Sequence, residues 1–293
     1  MGRNIFMLQI ATMKNILVPT DFSATALNAA HYALQLAKQL GTARLVLYHA
    51  YQAPMVIDPM VPVVQFVNED QLKRDSQEAL EKFKLILLAF CPKTCVIETY
   101  CEYALLNMGL DEACAKTNSD LIIMGITGGG ILEEKLVGSN TLSVAKHTKV
   151  PLIIVPANSK YTGVNRIMLA SDFDKADTTI PVELLKKIIT ETNAKLIVFN
   201  IEEETDEYAV KYPANVMGES YAIYTLLQDL NPEYKFSTNT NYTEAINQFV
   251  LEYQVDMVIT IPKKHGFFER LFSPSHTKML AFHSHVPVMI IHE

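Results

Sequence analysis

The chain repeats itself, and this repetition limits its possible folds more than any other feature. The stretch NILVPTDFS (15–23) matches RIMLASDFD (166–174), which sets Asp21 opposite Asp172. At the same offset ARLVLYHA (43–50) matches AKLIVFNI (194–201). Near the ends, SNTLSVAKHTKVPLIIV (139–155) matches SHTKMLAFHSHVPVMII (275–291). The pieces keep their order, so the chain is a tandem duplication. Its 293 residues suit two domains of roughly 150 residues better than one. The expected domains are 13–157 and 162–293, joined by the polar ANSKYTG (157–163).

Within each half, short apolar β-branched runs alternate with segments of helical period, the pattern of a parallel sheet flanked by helices. In the first half strands are predicted at 14–18, 44–50, 96–101, 121–125 and 151–155. Ser23 is a candidate N-cap and Gly41 a candidate C′ residue for the helix between the first two. Leu27, Ala30, Leu34, Ala37 and Leu40 recur at three- and four-residue steps and give that helix one buried face. Residues 68–90, 102–118 and 139–148 read as three more helices. The predicted class is α/β, two tandem doubly wound, Rossmann-like domains of five parallel strands each. IEEETDEYAVKYP (201–213) reads as an exposed connector.

A net charge of −7 argues against general nucleic-acid binding, which needs clustered Lys and Arg, but leaves room for one bound nucleotide. Cys91, Cys95, Cys101 and Cys114 lack the two-residue spacing of a zinc knuckle and read as reduced thiols. His283, His285 and His292 read as packing or surface residues, so no metal site is expected. No apolar run reaches the roughly 18 residues that span a bilayer. The opening MGRNIFMLQIAT is a poor match to a signal peptide and runs straight into the strand KNILVPT. The expected location is the cytoplasm, with no membrane or nucleic-acid partner.

The stretch MGITGGGILEEKLVGSNT (124–141) places five glycines after the strand DLIIM and ends at a helix start. In doubly wound sheets ligands bind beyond the carboxyl ends of strands, where helix N-termini present free N–H groups. Gly125 and Gly128 would let the chain turn and a ligand approach the backbone. Gly138 and Ser139 stand at the helix mouth, where main-chain N–H groups with the Ser139 and Thr141 hydroxyls can hold phosphate oxygens. A flexible connector would also use glycine, but the hydroxyl-rich helix start favours a ligand. No Gly-Lys dipeptide exists, which excludes a Walker-type loop, and the spacing is not that of a dinucleotide fingerprint.

Gly125-x2-Gly128-x9-Gly138-Ser139 resembles the glycine signature of the ATP-binding branch of the universal stress protein family. ILVPTDFS and LYHA are similar to that family's first and second strands, and the likeness runs through both halves. The resemblance implies an adenine nucleotide alpha hydrolase-like fold and a bound ATP, with Mg2+ as a possible companion. It further implies that Pro19, Thr20 and Asp21 border the adenosine, and that Ala50 and Met124 lie by the adenine. Gly125, Gly128, Gly138, Ser139, Asn140 and Thr141 would cradle ribose and phosphates. In the family the terminal strands pair across a two-fold axis. The tandem chain is therefore expected to be a monomeric pseudodimer or a homodimer of tandem chains, acting on a regulatory protein partner.

The second copy departs from this pattern. Gly125 corresponds to Ile261, Gly128 to Lys264 and Gly138 to Pro274, which removes a donor where a phosphate would need one. Asp172 and Ser275 survive. Lys263, Lys264 and Arg270 read as a solvated basic face. One competent site, in the first domain, is expected. The leading function is a nucleotide-binding stress-response module. The alternatives are a nucleotide-free interaction scaffold and a slow ATP hydrolase. No nucleophile–base pair emerges from the sequence; Glu133 and Glu134 could hold Mg2+ or orient water, but charged loop residues are usually just solvated.

Overall fold

The computed structural model describes residues 13–52, 68–126, 139–171, 180–201, 223–239, 241–262 and 286–292. Its first half runs β1 (Asn15–Pro19), α1 (Ala24–Leu40), β2 (Arg44–Tyr51), α2 (Glu69–Leu88), β3 (Val96–Tyr103), α3 (Leu106–Thr117), β4 (Leu121–Ile126), α4 (Ser139–His147) and β5 (Leu152–Pro156). The second half supplies β6 (Arg166–Ala170), α5 (Val182–Thr192), β7 (Lys195–Ile201), β8 (Glu233–Ser237), α6 (Tyr242–Glu252), β9 (Met257–Thr260) and β10 (Val288–Ile290).

Each element follows from local chemistry. The Ser23 hydroxyl accepts from the Ala26 amide at 3.2 Å and opens α1, and Gly41 ends it at φ 66°, a conformation that costs glycine nothing. The α1 face on the sheet is rich in alanine, including Ala26, Ala29, Ala30, Ala33 and Ala37, so the helix can approach closely. Leu27 and Leu40 are only half-buried at its margins. The Asn68 side chain caps α2 in the same way as Ser23 caps α1.

The ten strands form one sheet in the order β3-β2-β1-β4-β5-β10-β9-β6-β7-β8. Every neighbouring pair is parallel except β5 and β10, where Ile154 faces Val288, Ile153 faces Met289 and Leu152 faces Ile290. Outward from that seam the two halves read identically, so the chain is a pseudodimer made of one polypeptide. Strand residues alternate between two cores as a two-residue period requires. Ile16, Val18, Ile153 and Met289 enter the core under α1, α2 and α5, whereas Leu17, Ile154 and Ile290 enter the core under α3, α4 and α6.

The repeat also shows in a half-buried polar device. Asp120 accepts from the Lys14 amide at 3.1 Å and the Asn15 amide at 3.4 Å, and Asp256 accepts from the Asn165 and Arg166 amides at 2.8 and 2.9 Å. In each half this carboxylate, just before the fourth strand of the copy, ties down the start of its first strand.

The segment between the halves is polar in composition but packed in place. Ser159 is 2% exposed, and the Tyr161 hydroxyl donates to Gln39 Oε1. The Gln39 amide spans the seam, donating to the Val164 and Thr192 carbonyls at 2.8 and 2.9 Å while accepting from the Val164 amide at 2.9 Å. The Met13 amide donates to the Glu191 carboxylate, and His292 Nε2 donates to the Ala145 carbonyl at 3.0 Å. All four cysteines are free, and burial pushes the Cys95 and Cys114 thiols up to about 11 and about 12. Among the described residues, no helix is long and apolar enough to cross a membrane.

Candidate functional site

The strand order reverses direction at β1: the chain moves from β1 to β2 on one side and, later, to β4 on the other. Outside the carboxyl ends of β1 and β4 lies the crevice that such a reversal creates.

The β1–α1 turn is the best-defined wall. Pro19 is buried at the end of β1. Thr20 extends the ladder, its amide donating to the Tyr48 carbonyl at 2.8 Å, and its hydroxyl accepts from the Phe22 amide at 2.9 Å. Asp21 is exposed, and its Oδ1 accepts from the Ser23 amide at 3.0 Å. That bond fixes the carboxylate at the helix mouth, and Oδ2 has no hydrogen bond to the described residues. Phe22 is held at φ 66°, unusual for an aromatic residue, and its ring packs 4.6 Å from His49 and 5.9 Å from Phe83. His49 Nδ1 lies 2.7 Å from the Thr20 carbonyl, an acceptor only, so that nitrogen carries the proton. Sequence reasoning passed over Phe22 and His49, because neither a positive φ nor a side chain-to-carbonyl bond has a residue signature.

Ala50, near the end of β2, is half-buried against the core that also holds Met124. Met124 is 5% exposed, chiefly a core residue at the end of β4, with Ile154 opposite on β5. Gly125 requires a correction. An added Cβ there would lie 2.6 Å from the Thr25 carbonyl oxygen and 2.8 Å from Thr25 Cγ2. The space freed by the absent side chain is filled by the first turn of α1, not left open for a ligand. Gly125 seats α1 on the sheet, and the α1 N-terminus thereby reaches the crevice.

On the other side, α4 begins at Ser139. Thr141 is buried, and its hydroxyl donates to the Gly125 carbonyl at 3.2 Å, pinning the α4 start to the end of β4. Asn140 in the same first turn is exposed. Gly128 and Gly138, with Glu133 and Glu134, fall outside the described residues. The structure thus gathers Pro19, Thr20, Asp21, Ala50, Met124, Gly125, Ser139, Asn140 and Thr141 around the ends of three adjacent strands. Helices α1 and α4 both begin at this end of the sheet, on its opposite faces, and the first-turn amides of a helix have no partner within it.

The second half is built differently at the matching place. Ile261, the counterpart of Gly125, is buried, its side chain part of the core shared with Ile259 and Ile291. Helix α5 starts only at Val182, after Pro181, although residues 180 and 181 correspond to positions deep inside α1. Proline lacks the N–H that would continue the helix toward its N-terminus. Asp172, Lys263, Lys264, Arg270, Pro274, Ser275, His283 and His285 lie outside the described residues.

These features define a class: a tandem, doubly wound α/β pseudodimer with its crevices at the strand switch points. The universal stress protein family model matches residues 12–156 and again 163–292, and the chain belongs to that family. Over 147 residues it is 32% identical to the universal stress protein MJ0531 of Methanocaldococcus jannaschii, covering 50% of this chain and 84% of that one. The crystal structure of a universal stress protein from Archaeoglobus fulgidus shares the fold with a TM-score of 0.68 at 19% identity, over 96% of this chain and 97% of that one. A putative universal stress protein from Pseudomonas aeruginosa is similar at a TM-score of 0.50 and 12% identity, over 97% and 94%.

Proposed function

We propose that the chain is an ATP-binding, regulatory universal stress protein with one nucleotide site, in the crevice of the first half. The observation that carries this reading is that α1 and α4 both start beyond the carboxyl ends of β1 and β4, with the Asp21 carboxylate exposed at the same end of the sheet. Helix N-terminal amides suit phosphate oxygens, and a carboxylate acceptor suits ribose hydroxyls. In this reading Thr20 and Asp21 border the adenosine, and Ala50 with the edge of Met124 flanks the adenine. Gly125, Gly128, Gly138, Ser139, Asn140 and Thr141 line the ribose and phosphates, with Thr141 and Gly125 acting through the position of α4 and α1. The second half, with Ile261 filling the matching place and α5 starting late, serves as a structural partner.

Denaturing the purified protein and chromatographing the released small molecules tests the ligand directly; an adenine nucleotide is expected. Thermal unfolding with Mg-ATP tests the site. Ligand at a hundred times its dissociation constant stabilises by about 2.7 kcal/mol. Wild type and a Pro274→Ala variant should both shift, and Gly138→Val should not. Equal shifts in all three proteins would place the site elsewhere, and no shift in wild type would leave the family fold without this ligand.

A further inference from the structure

A cavity of about 420 Å³ opens where the two halves meet, between the 157–163 segment, the end of α6 and the approach to β10. It lies apart from the crevice at β1 and β4, and its size falls within the roughly 300–1,000 Å³ typical of small-molecule pockets. Three polar groups on its wall are unmatched. Lys160 is exposed, with no carboxylate in ion-pair reach among the described residues. Asp256 spends Oδ2 on the Asn165 and Arg166 amides and keeps Oδ1 without a hydrogen bond to the described residues. Tyr32 is 4% exposed, yet its hydroxyl has no hydrogen-bond partner among the described residues. A buried hydroxyl without a partner is costly and calls for an explanation.

The charges narrow the ligand. An anion would suit Lys160 and Tyr32 but meet the Asp256 carboxylate. A cation would suit Asp256 but meet Lys160. A neutral molecule would match neither charge. A zwitterion matches both, and Val250, Leu251 and Pro287 give its remainder an apolar wall. We propose that this cavity binds a free amino acid with an apolar side chain, its carboxylate toward Lys160 and Tyr32 and its ammonium toward Asp256. The proposal does not depend on nucleotide binding.

Isothermal titration of the full chain with L-leucine, 3-methylbutylamine and 4-methylpentanoate tests it, because the last two each lack one of leucine's charged groups. One leucine per chain should bind saturably, and each analogue about tenfold to a hundredfold more weakly, the range that loss of one charge-assisted hydrogen bond produces. Lys160→Met, at an exposed position, should weaken leucine by a similar factor and, by removing a like charge, leave the amine binding at least as tightly as before. Tyr32→Phe should weaken leucine and 4-methylpentanoate together. The proposal fails if leucine shows no saturable binding, if all three ligands bind alike, or if Lys160→Met leaves leucine affinity intact.

Discussion

Replacing Gly125 by alanine tests how the first crevice is built. The new methyl would stand 2.6 Å from the Thr25 carbonyl oxygen, where ordinary contact begins at 3.4 Å, so α1 or the end of β4 must retreat by about 0.8 Å. Neither moves easily. The Thr25 oxygen is main chain in the first turn of α1, which Ser23 caps, and Gly125 itself is held by Thr141. Overpacking of this kind costs about 1–3 kcal/mol. At about 2–4 °C per kcal/mol, a central cost of ~2 kcal/mol lowers the melting temperature by about 4–8 °C, measurable by circular dichroism. Adding Thr25→Ala removes the 2.8 Å contact with Cγ2 but not the contact with the oxygen, so it should not restore stability. Gly41→Ala is the comparison: it meets no atom within 4 Å and pays only the left-handed strain of φ 66°, about 1–2 kcal/mol. If Gly125→Ala melts within about 0.5 kcal/mol of wild type, or Thr25→Ala rescues it, the seating of α1 on Gly125 is wrong.

Gln39→Leu strips four hydrogen bonds from the seam and leaves the Val164 amide and two carbonyls without partners. The expected loss is at least ~2 kcal/mol, with faster proteolysis between the halves at 157–163. Glu102 predicts an acid response. Burial works to raise its carboxyl, but hydrogen bonds from Lys116, Tyr100 and Tyr48 outweigh it and hold the group below the ordinary glutamate value. A depressed folded value means that this contribution is complete above the unfolded value of about 4.3 and is lost as pH falls through the folded one. Tyr48→Phe removes the 2.9 Å bond to Glu102 Oε1 and should cost about 1.5–3 kcal/mol at neutral pH, with a shallower loss below pH 4.3. Urea midpoints between about pH 7 and 3 read both effects.

The fold was largely legible in the sequence because its signals were local and stated twice. The strands of the first half lie within two residues of their predicted ends, and Ser23 and Gly41 cap α1 as their side chains suggest. The pseudodimer was readable from the apolar VPLIIV and VPVMII runs, whose edges need a partner. The site was legible only as a set of segments. Thr20, Asp21 and Thr141 could be named, but not that Thr20 and Thr141 bond chiefly to protein. Gly125 was read as room for a ligand, because a sequence shows that a side chain is absent and not what fills the gap. Likewise ANSKYTG looks like a free linker by composition, whereas Tyr161 and Ser159 pack against α1 through partners 100 or more residues away.

What the second copy keeps and what it changes fall on different parts of the sheet. Asp256 repeats the tie made by Asp120, and Gln254 repeats the positive φ of Asn118 just before it, so the machinery that launches β9 and fixes β6 is retained. Met289 and Val288 supply the other side of the β5 seam. Ile261 and Pro181 stand at the strand and helix ends that form the crevice of the first copy. A side chain at 261 buries apolar area, worth about 1.5–3 kcal/mol for a fully buried isoleucine, where glycine would give none. That gain is available only if α5 does not press on the strand end as α1 presses on Gly125, and Pro181 starts the helix late. At this one position the close helix approach of the first copy gives way to core packing in the second, where Ile261 is 5% exposed.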